Sequence, residues 1–148
     1  MQDLAAKTAG HRAACLRVGF DLVQVSGIAR SLERFGARFE DRLFTPDEVA
    51  YARSGAGMTA ERLAARFAAK EAVIKALRLG SAGVGWRDIE VRKLDDGDCS
   101  VRLHGRAAAI ASERGVRDIV LSLSHDGDYA GAVVTILLND PERDTPRL

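Results

Sequence analysis

The chain has 148 residues, of which 47% are hydrophobic and only 5% aromatic, and its formal net charge is +1. This length supports one domain with a modest core, and near-zero charge without interleaved aromatics argues against nucleic-acid binding. Cys15 and Cys99 are too few and too far apart for a disulfide framework or a zinc knuckle, so a reducing, cytoplasmic setting is expected.

The opening MQDLAAKTAGHRAAC has no apolar core of the kind a signal peptide needs, and no later run reaches the roughly 18 apolar residues of a membrane span. A soluble protein with no membrane association is predicted. Residues 1–15 read as an extension, 16–138 as the domain, and 139–148, with NDPERD and a second proline, as a frayed tail.

In CLRVGFDLVQV, β-branched and apolar residues predict a strand with Asp21 in its middle. From Ser26 the spacing becomes helical: Ile28, Leu32, Phe35 and Phe39 share one face, expected to pack, and Arg30, Arg34 and Arg38 share the opposite one. FTPDEVAYAR places Thr45 as N-cap, Pro46 at the first helical position and Glu48 three residues after the threonine, a capping box that starts a second helix.

A long helix is predicted from Thr59 to Leu79, ending in the glycine-rich GSAGVG. WRDIEVRKL and CSVRLHG then alternate around a DDGD turn, AAAIASERG reads as a short helix, and DIVLSLS and YAGAVVTILL are strands joined by HDGD. The order β, helical block, ββ, α, ββ predicts an α+β fold, with a mostly antiparallel sheet packed against the long helix and shorter helices.

Charge concentrates on the long helix, where residues 61–78 hold five cations against Glu61 and Glu71. Lys75 lies about 40° from Glu71 and Arg78 about 20° on its other side, one narrow polar stripe flanked by Ala68, Ala72 and Ala76 that lets a backbone or ligand come close. Glu71 is either one half of a solvated Glu–Lys pair or a ligand. Asp21, in mid-strand between Phe20 and Leu22, needs compensation if buried. Two carboxylates among cations suit a magnesium ion completed by substrate phosphates.

Other chemistries fit less well. Ser124, His125 and Asp126 are strand neighbours that point to opposite faces, so they cannot form a triad as they stand. His11, His104 and His125 lack metal-ligand spacing, and GSAGVG follows a helix and lacks the Lys-Ser/Thr of a phosphate loop. A non-catalytic basic module holding an acidic protein and a different nucleotide-using enzyme are the competing classes.

VGFDLVQV, RFGARFEDRLFTPDE, LAARFAAKEAVIKAL, WRDIEV and LSLSHDGDYAGAVV together, and in this order, resemble the holo-acyl-carrier-protein synthases, the small class of 4'-phosphopantetheinyl transferases. The resemblance covers about residues 18–138, and RFAAKEA..KAL is its specific part. It implies the 4'-phosphopantetheinyl transferase fold and an enzyme that moves the phosphopantetheine arm of coenzyme A onto a serine of an apo acyl carrier protein, releasing adenosine 3',5'-bisphosphate.

It further implies magnesium held by Asp21 and Glu71, catalytic roles for Glu71, Lys75 and His125, and coenzyme A contacts from Arg66, Lys75, Gly80, Ser122 and His125. Lys70 phosphate-binds or merely braces. Glu71, a metal-bound water and Asp126 are all open as the base that takes the serine proton. The acidic carrier would meet Arg30, Arg34 and Arg38, and a homotrimer with sites at subunit interfaces is implied, in lipid biosynthesis. The chain departs from the family pattern in carrying Arg78 where a glycine commonly follows KAL, in the loop RLGSAGVGW, in GFD before the aspartate ligand, and in the N-terminal extension.

Overall fold

A computed structural model describes residues 14–139; the expected extension and tail lie almost wholly outside the described residues. The predicted α+β class holds, but the strands divide between two antiparallel sheets. Strands β1 (Cys15–Gln24), β4 (Val116–Asp126) and β5 (Tyr129–Leu138) form one, in the order β1-β5-β4, and β2 (Ile89–Lys93) pairs with β3 (Cys99–Leu103) in the other. WRD, read as the start of a strand, is instead a single 3-10 turn over Trp86–Asp88.

Helix α4 (Thr59–Leu77) lies across the three-stranded sheet. Its alternating partner strand β1 turns odd-numbered residues inward and even-numbered ones out. Ala68, Ala72 and Ala76 are buried on α4, and the backbone they admit is that of β1: a Cβ on Gly19 would come within 1.9 Å of the Ala72 carbonyl oxygen. Glycine at 19 and alanine at 72 therefore let strand and helix touch backbone to backbone. The main core of Val73, Leu77, Ile89, Val134 and Ile136 closes around this contact.

Two helical expectations need correction. The helix expected to run through Phe39 breaks at Gly36, whose φ of 53° favours glycine, into α1 (Val25–Phe35) and α2 (Ala37–Leu43). As the last residue of α1, Phe35 does not pack with Ile28; its ring is 50% exposed. The long helix stops at Leu77, two residues early, because Arg78 adopts the left-handed conformation (φ 54°, ψ 51°), the only non-glycine with positive φ among the described residues. Arg78 thus leaves the Glu71–Lys75 stripe and does the backbone work for which glycine is ordinarily chosen.

The start of α1 is secured from a distance. Gln24 provides no side-chain cap; Asp128, in the β4–β5 turn, accepts hydrogen bonds from the Ser26 amide (2.8 Å) and hydroxyl (2.6 Å), and its carbonyl accepts from the Val25 amide. These bonds hold the Asp128 carboxyl below its ordinary range. Helix α3 (Pro46–Arg53) begins with the predicted capping box of Thr45 and Glu48. Helix α5 (Gly105–Glu113) matches AAAIASE.

Candidate active site

The contact of Gly19 with Ala72 sets β1 against α4 and brings Asp21 to the helix face that carries Glu71 and Lys75. Lys75 Nζ lies 2.7 Å from Asp21 Oδ1 and donates a second bond to the Phe20 carbonyl at 3.1 Å. The bond to Asp21 raises the Lys75 ammonium above its usual range. Glu71 is pushed up as well, first by burial and then by the negative charge of Asp21, with Lys75 opposing. Two carboxylates that repel one another beside an ammonium mark a place where further positive charge is favoured.

Both acids are hard oxygen donors, and Glu71 lines a groove of roughly 330 Å³ with Ile74, Leu79, Gly80, Val84 and Trp86. Among the described residues no cluster of three or more His, Cys, Asp or Glu exists that would hold a metal by protein side chains alone. This donor set fits a magnesium ion, which takes one or two carboxylates and draws its remaining oxygens from water and phosphate. Gly80, expected to contact coenzyme A, lines the same groove as Glu71.

Arg66, Ser122 and His125 come together elsewhere. They line a cleft of roughly 360 Å³ with Tyr51, Arg62 and Lys93. The Arg66 guanidinium, 3% exposed, lies 4.1 Å from the centre of the Tyr51 ring, and Arg62 lies on the same ring at 4.5 Å. Arg66 Nη1 donates to the Arg62 carbonyl, but Nε and Nη2 are buried with no hydrogen-bond partner. Burial lowers its pKa, as expected of a cation kept from water. Such a guanidinium has two donor nitrogens left for an anion.

Within one chain, His125 does not join Asp21, Glu71 and Lys75. In the sheet register Asp21 faces Ala132 of β5, which faces Leu123 of β4, so a whole strand separates β1 from the strand bearing His125. Asp126 ends the same strand. The sequence-selected residues thus form two half-sites, one around Asp21, Glu71, Lys75 and Gly80, the other around Arg66, Ser122 and His125.

Lys70 is a brace. Its side chain is fully buried, as is that of Glu48, and Nζ lies 2.9 Å from Glu48 Oε2 while donating to the Trp86 and Ile89 carbonyls. Glu48 Oε1 accepts from the Val91 amide at 2.8 Å. Burial pushes the Glu48 carboxyl up and the Lys70 ammonium down, and each partner opposes that push on the other. The pair ties α3, α4 and β2 together one residue before Glu71; loss of one member of such a pair costs about 3–5 kcal/mol. The capping box signalled Glu48 in the sequence, but its second partner lies too far along the chain for any local pattern to reveal. Tyr51 gave no sequence signal either.

The family model of the 4'-phosphopantetheinyl transferase superfamily matches residues 17–134. The chain belongs to that superfamily. A holo-acyl-carrier-protein synthase of Gloeobacter violaceus is 45% identical over 121 residues, 82% of this chain and 92% of that protein. The Moorella thermoacetica holo-acyl-carrier-protein synthase is 46% identical over 123 residues, covering 82% and 93% of the two chains.

Among solved structures, the Chronobacterium ammoniagenes ACPS–CoA complex superimposes with a TM-score of 0.72 at 39% identity, over 82% of this chain and 96% of that one. The Helicobacter pylori holo-acyl-carrier-protein synthase in complex with coenzyme A gives 0.71 at 27% identity, over 80% and 98%. The fold expected from the sequence is therefore that of solved synthases of this family.

Proposed function

We propose that this protein is a holo-acyl-carrier-protein synthase, transferring the 4'-phosphopantetheine group of coenzyme A to a serine of an apo acyl carrier protein, with Asp21 and Glu71 as the protein ligands of a magnesium ion. The observation that carries the residue assignment is the meeting of those carboxylates, with Lys75 bridging from the helix to Asp21. When bound, magnesium would neutralise pyrophosphate charge and stabilise the leaving phosphate. Lys75, 54% exposed at its side chain, has the freedom to turn from Asp21 to that phosphate. Arg66, with two unpartnered donor nitrogens, and Ser122 and His125 in its cleft bind further parts of coenzyme A.

The separation of the two half-sites favours a homotrimer in which each site is shared between neighbouring chains. The sheet face away from α4 is a continuous apolar surface: Leu16, Val18, Phe20 and Leu22 of β1 are each more than half exposed, Val133 follows on β5, and Val120 on β4. A face of this kind calls for a partner, and Ser122 and His125 stand at its rim. Light scattering should return the mass of three chains; a monomer would count against shared sites.

Arg30, Arg34 and Arg38 are all exposed, the first two on α1 and the third on α2. They meet the acidic carrier by charge complementarity. The Arg30→Glu/Arg34→Glu variant is expected to raise the Michaelis constant for carrier about tenfold or more, with little effect on that for coenzyme A; equal effects would reject this role. No helix among the described residues is long and apolar enough to cross a membrane, and we place the reaction in the cytoplasm, in lipid biosynthesis. The decisive experiment is to incubate purified protein, coenzyme A, magnesium and apo carrier and weigh the carrier. Gain of one phosphopantetheine supports the reading, and no gain with any carrier rejects it.

A further inference from the structure

Phe35 is an exposed aromatic residue on a basic stretch of the surface. Between Val25 and Leu43 the exposed charges are Arg30, Arg34, Arg38 and Arg42 against Glu33 and Asp41; Glu40, the remaining acid, is buried against Arg53. The Arg34 guanidinium stands 5.0 Å from the centre of the Phe35 ring. Two grooves share that ring as a wall: one of roughly 400 Å³ with Gly27, Arg30, Ser31 and Arg34, the other of roughly 340 Å³ with Arg38, Phe39 and Arg42. Phe35 is the last residue of α1, directly before the turn at Gly36, and its ring stays outside the packed cluster that holds Ile28 and Leu32.

We propose that Phe35 is the apolar anchor of the carrier-docking face, seating an exposed apolar side chain of an acidic carrier helix while the arginines on either side bind its carboxylates. This rests on the carrier-transfer reading above and deepens it: charge steers the partner, and the ring selects for a helix that presents an apolar residue between its acids. Basic groups alone accept any polyanion, whereas a central aromatic surrounded by polar contacts is the usual composition of an energetic hot spot. The positive surroundings also set the choice of partner, because a second copy of this chain would bring its own four arginines against these.

The test uses the full-length protein with a purified apo acyl carrier protein, measuring carrier binding by titration calorimetry, and transfer kinetics separately. Phe35→Ala should weaken carrier binding and raise its Michaelis constant about tenfold, leave the Michaelis constant for coenzyme A unchanged, and leave the melting temperature unchanged because the ring is half exposed. Phe35→Leu should recover most of the loss. Unchanged carrier binding in Phe35→Ala overturns the proposal, as does a change in solution mass, which would mark the face as a contact between copies. Binding is read without turnover, so Phe35-sensitive binding without transfer sinks the catalytic reading and supports this one, whereas transfer indifferent to Phe35→Ala sinks this one alone.

Discussion

Asp21→Ala and Glu71→Ala should each lower the rate of phosphopantetheine transfer by about a thousandfold or more, while the protein stays folded. The expected size follows from electrostatic stabilisation of a developing phosphate charge, where loss of one preorganised group costs about 10²–10³ in rate and loss of a metal ligand removes more than one such interaction. Stability should respond far less. The Asp21–Lys75 pair has a largely exposed lysine, so solvent and salt screen it, and Glu71 takes no part in the buried Glu48–Lys70 pair. Melting curves recorded beside the kinetics separate the two effects. A variant that unfolds would assign these acids to structure, and one that retains full activity would remove them from the metal site.

The second large effect concerns a residue with no side chain. Gly19→Ala should cost about 3 kcal/mol or more, beyond the usual overpacking range because the added methyl meets backbone and not a flexible side chain. The melting temperature should fall by about 10 °C for a domain of this size. Since β1 must move off α4 to make room, Asp21 moves with it. Misplacement of a positioned group by about 1 Å can cost 10²-fold in rate, so activity should fall at temperatures where the variant is still folded. Gly27→Ala is the control: it lies inside α1, and its added methyl meets nothing closer than 3.8 Å. Helix propensity predicts a gain of up to about 1 kcal/mol there. Equal behaviour of the two variants would show that the close approach does not position the site.

Local chemistry accounts for what was legible in the chain. The capping box at Thr45 and Glu48, the alternation in β1 and β4, and the apolar and alanine-rich spacing of α4 are each properties of neighbours in sequence, so the elements they specify were readable to within a few residues. Where a single backbone angle decided the outcome, periodicity failed: Gly36 and Arg78 adopt positive φ, one breaking the helix between Phe35 and Phe39 and the other removing Arg78 from the stripe beside Glu71. Spacing could mark Asp21, Glu71 and Lys75 as a set of suitable types, but could not choose between a solvated ion pair and a shared site.

By itself, then, the sequence determined the element order, the family motif and the residue types offered for chemistry, because these depend on neighbours within a turn or a strand. Only the tertiary structure decided that Gly19 admits the Ala72 carbonyl and so brings Asp21 to the face of α4 bearing Glu71 and Lys75, that Lys70 is locked inside with Glu48, and that His125 stands a strand away with Arg66. Each of those facts joins residues distant in the chain, where packing distance and burial, not spacing, select the partner.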